Sequence, residues 1–284
     1  FVVGRSDPER RATATTVDPP SPFYLVIGGS SSLGTQPTGI ATDNGHRTLV
    51  GYANDVLMIE RRRGVSMVLH QVGCPGETVA TMLETAIGDH CYNPPATQLS
   101  VAVNFLRRHR DDPGLVSIDL GLNNIRPCIS HTAVSLGCVD EQITITREDL
   151  PKIVRDLTSA AGPRVRFVGF EYEDPFLSRY LDGASGPSIA NETLAGMNSY
   201  NAVLGQVYDA AGVRIANLPA TFKNDDSALV TLDNVGAIPE NVEEVCQLTW
   251  MCQPPPFGPD DHPNNEGYMA IAEAIADNLP RSSW

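Results

Sequence analysis

The sequence contains no hydrophobic stretch that is long enough to cross a bilayer. Its longest apolar runs, such as Tyr24 to Ile27, are the size of strands, whereas a transmembrane helix needs ~20 apolar residues. Internal repeats and low-complexity tracts are also absent. The chain has 284 residues, of which 42% are hydrophobic, which is enough to bury one sizeable core. We therefore expect one folded domain and no transmembrane segment.

Positive charge is scarce in this sequence. Lys and Arg number 20 against 34 Asp and Glu, so the net charge is −14. A polyanionic surface repels phosphate backbones, which argues against nucleic acid as a partner. The same repulsion disfavours anionic membranes as a docking surface. The simplest interpretation of the charge is that it keeps the protein in solution.

The cysteine spacing of a zinc site is missing as well. Six cysteines fall into three sequence-local pairs, and an even count with local pairing indicates disulfides and an oxidising compartment. By proximity, the predicted disulfides are Cys74–Cys91, Cys128–Cys138 and Cys246–Cys252. The alternative is a set of buried free thiols in a cytosolic enzyme. The chain begins at Phe1 rather than Met, which fits a processed or trimmed product.

Strand-sized apolar segments alternate with helical patterns along most of the chain. Strands are predicted at Tyr24–Ile27, Met67–Val72, Leu115–Leu120, Arg164–Phe170 and Val213–Ala216, and helices at 78–84, 99–110, 147–161, 194–211 and 266–279. This alternation is typical of a parallel sheet with helices on both faces. Residues 1–22 are interpreted as an N-terminal arm and 23–284 as one domain, with loop insertions at 124–146 and 217–258.

Four short segments that follow strands or precede the last helix each carry a group that acyl transfer needs. Ser30 follows the first strand, and Gly76 follows the second and can present a backbone N–H. Asn123 follows the third and can donate from its amide, while His262 precedes the last helix and can accept the serine proton. Taken singly, each is more often a turn residue. Together, at the sheet edge where such folds bind ligands, they indicate a serine hydrolase.

These segments resemble the four sequence blocks of the SGNH hydrolases, also called the GDSL family of esterases and lipases. The matching segments are Gly28-Gly29-Ser30-Ser31, Gly73 to Thr78, Gly121-Leu122-Asn123-Asn124, and His262-Pro263-Asn264. The resemblance spans residues 23 to 279. Gly29 and Asn124 stand where the family usually has Asp, and Ser31 stands where Leu or Ile is common.

The resemblance implies a three-layer α/β/α, flavodoxin-like fold with about five parallel strands. It also implies a carboxylic ester hydrolase without a cofactor, acting on lipid or small-molecule esters as secreted bacterial members do. The implied oxyanion hole consists of the Ser30 N–H, the Gly76 N–H and the Asn123 side chain.

The acceptor behind His262 is left open by the sequence. The family often has Asp three residues before the histidine, but that position is Pro259. Either the Asp260 carboxylate or the Pro259 carbonyl can hold the ring. We favour Asp260, because a carboxylate also stabilises the imidazolium, and we expect the side chain of Asp261 to point away.

Two other functions remain open at this point. One is a polysaccharide O-deacetylase, for which Tyr172, Tyr180, Trp250 and Phe257 are candidate sugar-stacking residues. The other is a non-catalytic binding protein on the same scaffold, which the altered nucleophile block favours. The Asp pairs 225–226 and 260–261 lack enough ligands for a metal ion and are interpreted as solvated turns.

Overall fold

A five-stranded parallel sheet lies at the centre of the computed structural model. The structure describes residues 22–40, 45–84, 91–232 and 236–280, so the predicted arm lies outside the described residues except for its last position. The strands are β1 Phe23–Gly28, β2 Thr35–Gln36, β3 His46–Arg47, β4 Val68–Gln71, β5 Gly114–Asp119, β6 Val165–Glu171, β7 Arg214–Asn217, β8 Leu229–Leu232 and β9 Gly236–Pro239. The order in the central sheet is β4-β1-β5-β6-β7, and every neighbouring pair is parallel.

Helices cover both faces of this sheet, which confirms the predicted α/β/α fold. They are α1 Tyr52–Arg62, α2 Val79–Leu83, α3 Gln98–Arg108, α4 Leu122–Ile125, α5 Leu136–Ala160, α6 Gly186–Ala210, α7 Leu218–Thr221, α8 Glu240–Leu248 and α9 Asn265–Asp277. Short 3₁₀ helices lie at Ser31–Leu33, Arg126–Cys128, Pro175–Leu181 and Gly183–Ser185. Helix α1 packs against α9, while α5 packs against α3 and α6. The small β2–β3 and β8–β9 pairs are antiparallel and lie outside the central sheet.

The two central strands, β1 and β5, are buried along their whole length. Strands that are covered on both faces have continuous runs of apolar residues in their sequence. The segment from Tyr24 to Ile27 has this pattern, and none of its side chains is exposed. Burying each such side chain stabilises the fold by about 1.5–3 kcal/mol. Because β1 and β5 are neighbours and parallel, the turns after them meet at one edge of the sheet. Ser30 and Asn123 lie on these two turns.

Two predicted helix starts are wrong, and each has a local cause. Helix α5 begins at Leu136 rather than Arg147, because the β-branched residues from Ile143 onward hide the helical pattern of its first turns. Helix α6 begins at Gly186 rather than Leu194, since Pro187 is tolerated in a first helical turn. The predicted irregular insertion at 217–258 contains α7, β8, β9 and α8. Helix α1 had no sequence prediction.

The cysteines form the three predicted pairs: Cys74–Cys91, Cys128–Cys138 and Cys246–Cys252. Each bridge closes a short loop, the shortest with a sequence separation of 6 between α8 and the segment before His262. No cysteine is free. Across the described ranges, none of the helices combines the length and the apolar character that crossing a membrane requires.

Candidate active site

The turn after β1 holds Ser30 in a position that only a glycine-containing strand end allows. Gly28 has a φ of +142°, and a Cβ there would lie 2.0 Å from the backbone oxygen of Asp119 on the neighbouring strand. The chain then enters the 3₁₀ turn, where the Ser30 carbonyl accepts hydrogen bonds from the N–H groups of Leu33 at 3.0 Å and Thr35 at 3.3 Å. Ser30 itself is half-buried. The backbone of Ser30 is therefore fixed, while the residue is still reachable from solvent.

The loop before α9 brings His262 to this serine. Nε2 of His262 lies 2.7 Å from Oγ of Ser30. The loop is anchored by a hydrogen bond from the Trp250 N–H to the His262 carbonyl at 3.1 Å. Asn264 caps α9 by accepting from two backbone N–H groups of its first turn. The ring is thus positioned by the backbone on both sides.

The second ring nitrogen of His262 faces Asp260. Nδ1 lies 2.7 Å from Oδ1 of Asp260, and the same oxygen accepts the backbone N–H of His262 at 2.9 Å. A carboxylate on Nδ1 defines the tautomer that leaves Nε2 free to accept a proton from serine. Of the two acceptors considered from the sequence, the structure places the Asp260 carboxylate, and not the Pro259 carbonyl, against the ring.

The charges around His262 shift its pKa in the direction that a base requires. Burial alone would lower the pKa of His262, but the hydrogen bond to Asp260 and the charges of Asp260 and Asp261 outweigh it, so the pKa is raised above 6.5. Burial likewise opposes ionisation of Asp260, yet the bond to His262 holds the pKa of Asp260 below its usual value. Asp260 is therefore a stable anion beside a ring that readily accepts a proton.

Asp261 corrects the interpretation of residues 260–261 as a solvated turn. Its side chain is buried and pairs with Arg126, with 3.0 Å between Nε and Oδ2. Asp260, Asp261 and His262 offer oxygen and nitrogen atoms within 4.8 Å of one another. Both nitrogens of His262 are already engaged, however, and a guanidinium contacts Asp261. These donors do not fit a metal ion.

Asn123 lies directly beside the turn that carries Ser30. A Cβ on Gly29 would lie 2.6 Å from Nδ2 of Asn123, so the amide touches the backbone next to Ser30. The same Nδ2 donates to the Glu77 carbonyl at 3.1 Å, which fixes the orientation of the amide. Asn123, Ser30 and His262 line one cavity. The structure brings these three predicted residues together.

Gly76 is placed differently from the other predicted donors. It is exposed, has a φ of +79°, and does not line the cavity of Ser30. The segment as a whole does dock on the nucleophile turn, since the Cys74 N–H donates to the Gly28 carbonyl at 2.9 Å. The conformation of Gly76 requires glycine, as expected for a tight turn.

A buried polar clamp that the sequence analysis missed fixes the end of β1. The amide of Gln98 accepts from the Gly28 N–H at 2.6 Å and donates to the Gly28 carbonyl at 3.1 Å. It also donates to the buried carboxylate of Glu77 at 2.7 Å. The available signal was a polar residue at the start of an amphipathic helix, on the face that packs inward.

Asp119 is a second residue that the sequence analysis missed. It ends β5, is buried, and borders the cavity that contains Ser30 and His262. Its carboxylate accepts hydrogen bonds from Tyr172 at 2.9 Å and Tyr52 at 3.3 Å. Burial raises the pKa of Asp119 to about 6, although these hydrogen bonds and the charge of His262 oppose the shift. A lone acidic residue in an apolar strand was the signal.

Of the four aromatic residues proposed as sugar-stacking candidates, one is exposed beside the site. Tyr172 is buried on Asp119, and Tyr180 packs against a second, smaller hydrophobic cluster. Trp250 is half-buried and stacks on Phe257 with 6.0 Å between ring centroids. Phe257 is exposed and lines a cavity that Asp260 and His262 also border.

Comparisons with known proteins find relatives by structure alone. No protein-family model matches the sequence, and no curated protein matches it. The structure is similar to an extracellular lipase from Streptomyces rimosus, with 17% identity, a TM-score of 0.54, and coverage of 91% of this chain and 100% of that chain. The chain has the SGNH-hydrolase fold.

Two further solved structures illustrate the breadth of this likeness. An acetylxylan esterase from Geobacillus stearothermophilus shares 15% identity at a TM-score of 0.54, covering 91% of this chain and 94% of that chain. A phospholipase A1 from Streptomyces albidoflavus shares 14% identity at a TM-score of 0.51, covering 92% and 100%. At such identities the likeness concerns the fold, and it confirms the resemblance stated from the sequence at that level.

Proposed function

We propose that this protein is a serine esterase that hydrolyses carboxylic esters through an acyl-enzyme. One observation carries the proposal: hydrogen bonds of 2.7 Å run from Ser30 to His262 and from His262 to Asp260, beside a cavity that solvent reaches. Nucleophile, base and orienting carboxylate within hydrogen-bond distance are the arrangement that activates a hydroxyl group. The protein needs no cofactor for this chemistry.

The reaction proceeds in two acyl transfers. Oγ of Ser30 attacks the ester carbonyl while Nε2 of His262 takes its proton, and Asp260 stabilises the resulting imidazolium. The tetrahedral intermediate collapses, His262 returns the proton to the departing alcohol, and an acyl-serine remains. Water then attacks the acyl-serine with His262 again as base, which releases the acid and restores the serine.

The developing oxyanion is held by Asn123 together with the backbone N–H groups of Ser30 and Gly76. The contact of Asn123 with the nucleophile turn supports its role, because the donor is already oriented by Glu77. A preorganised donor of this kind typically lowers the barrier by about 3 kcal/mol. Gly76 is an exposed glycine with no heavy atom within 4 Å of the position that a Cβ would take, so its turn is open to solvent.

A polysaccharide O-deacetylase is a second candidate, favoured by Phe257. This ring is 45% exposed and borders the same cavity as His262, so it can stack on a sugar face or pack against an acyl chain. A non-catalytic binding protein is disfavoured, because it needs no serine that is hydrogen-bonded to a histidine–carboxylate pair. The three disulfides support an oxidising, extracellular location for a single hydrolase domain.

The proposal is tested by the hydrolysis of p-nitrophenyl acetate and by labelling with a fluorophosphonate probe. Wild-type protein should turn over the ester and acquire the label on Ser30, and Ser30→Ala should lose both. Ser31→Ala is the matched control because Ser31 borders the same cavity without contacting His262. Activity that survives Ser30→Ala, or that disappears in Ser31→Ala instead, would contradict the assignment.

A further inference from the structure

A groove of about 470 Å³ adjoins the catalytic cavity and is lined by two arginines, Arg126 and Arg179. His131 and the apolar side chains Ile129, Phe176 and Met251 form much of the remaining wall. Arg126 and Asp261 line both this groove and the cavity that contains Ser30. The two spaces therefore meet at Arg126 and Asp261, the residue that precedes His262 in the chain.

Both arginines keep guanidinium N–H groups that no described carboxylate occupies, although the protein is rich in carboxylates. Arg126 uses Nε to contact Asp261 at 3.0 Å, and Arg179 uses one terminal nitrogen to contact Asp182 at 3.2 Å. A guanidinium carries five N–H donors. No described residue accepts from the two terminal nitrogens of Arg126, and Nε of Arg179 is buried without a partner among the described residues.

His131 adds a further donor to the groove. Its Nδ1 lies 2.6 Å from a terminal nitrogen of Arg179. Because a guanidinium only donates, Nδ1 must accept, and the proton of the neutral ring is therefore on Nε2. The groove thus contains donors from three side chains, while its one carboxylate, Asp261, is already paired with Arg126.

We infer that this groove binds an anionic group, a phosphate or a carboxylate, on the alcohol part of the ester that Ser30 cleaves. The inference rests on the proposed esterase function. His262 must protonate the departing alcohol, so the alcohol part lies on the His262 side of the cavity, next to Asp261 and Arg126, which also line the groove. Guanidinium groups bind oxyanions through paired N–H donors, and the apolar walls strengthen this attraction by excluding water.

The overall charge of this protein works against a preference for anionic substrates. Its net charge of −14 repels anions at long range, so without a cationic subsite an anionic ester should react more slowly than a neutral one. Two matched pairs test this. 4-Acetoxybenzoate is compared with its methyl ester, and 4-acetoxyphenyl phosphate with phenyl acetate. We expect kcat/KM to be about tenfold or more higher for the anionic member of at least one pair, as for one charge-assisted contact.

The two pairs distinguish the possible anions. A preference in both assigns the groove to oxyanions in general, and a preference in one assigns it to phosphate or to carboxylate. Equal rates, or faster turnover of the neutral member in both pairs, would overturn the inference and leave the esterase proposal intact. If neither neutral ester is hydrolysed and the fluorophosphonate does not label Ser30, the proposed function fails and this inference fails with it.

The substitution Arg179→Gln then tests whether Arg179 selects the anionic ester. The ratio of anionic to neutral kcat/KM should fall about tenfold or more, and Arg179→Lys, which keeps the charge, should retain part of the preference. Arg62→Gln is the matched control: α1 ends at Arg62 and the chain then enters β4, so Arg62 lies at the opposite edge of the sheet from Ser30. An equal fall in Arg62→Gln, or an unchanged ratio in Arg179→Gln, would show that the groove does not select the anion.

Discussion

Asp119→Asn should raise the free energy of unfolding, relative to wild type, more at neutral pH than in acid. The reason is that it removes a buried charge from beneath the candidate site. The carboxylate accepts from Tyr172 and Tyr52, yet burial still raises its pKa to about 6. Asparagine has nearly the same shape and keeps one oxygen as an acceptor for Tyr172. Its amide group can donate to the hydroxyl of Tyr52. The substitution therefore changes the charge while preserving most of the contacts.

The magnitude follows from the difference between the folded and unfolded pKa values. An unfolded aspartate has a pKa of about 3.9, so the folded state binds the proton more tightly by about 2 units, or ~3 kcal/mol at 1.36 kcal/mol per unit. Below pH 4 the carboxyl is neutral in both states and costs nothing. Between about pH 4 and pH 6 the unfolded state loses its proton while the folded state keeps it, so the penalty grows over this range and is complete above about pH 6.

Denaturant unfolding of both proteins between pH 4 and pH 8, with disulfides intact, measures this difference. The free energy of unfolding of Asp119→Asn minus that of wild type should increase by ~3 kcal/mol across the range, whatever its constant offset. Asp225→Asn is the matched control, because it removes the same charge from an exposed position. A difference that stays flat, or that falls as the pH rises, would refute the reasoning.

Three further predictions concern the site and the disulfides. Asn123→Ala should lower kcat for p-nitrophenyl acetate by about 100-fold with little change in KM, because its contact forms mainly in the transition state; an unchanged kcat would remove Asn123 from the site. Asp260→Asn should lower kcat by orders of magnitude. Since Asp260 raises the pKa of His262, the substitution should also shift the acid limb of the kcat/KM profile to lower pH. A loss of kcat below about tenfold, with the acid limb unmoved, would indicate a backbone acceptor instead. Thiol titration of the denatured, unreduced protein should find essentially no free thiol, and two or more thiols per chain would contradict the disulfides.

The order of strands and helices was predictable because both have short-range sequence signals. Apolar runs bounded by glycine or proline predicted the strands of the central sheet, and their ends fall within a residue or two of the observed ones. The first residues of the helices were harder to predict from the sequence. Segment 136–146 is rich in β-branched residues, and its helical state depends on packing against α2 and α4 and on the Cys128–Cys138 bridge. Neither effect can be read from local sequence.

The candidate site divides in the same way. Ser30, Asn123 and His262 stood out because they follow strands or precede a helix, where topology alone predicts convergence. Asp119, Gln98 and the Arg126–Asp261 pair did not, because their roles depend on partners that are distant in sequence and on burial. A buried carboxylate and an exposed one look alike in a sequence.

The two positions that depart from the SGNH pattern are compatible with this site in physical terms. Gly29 lies so close to Asn123 that any side chain would collide with Nδ2 at 2.6 Å. With glycine there, the amide of Asn123 can approach the backbone of the nucleophile turn directly. Asn124 is buried, where it accepts from the Val79 N–H at 3.1 Å and donates to Gln142 at 3.0 Å. An aspartate could accept from Val79 but could not donate to Gln142, and it would add another buried anion. Asparagine at 124 therefore joins α2 to α5 without an additional buried charge, and the departures are consistent with the proposed oxyanion hole.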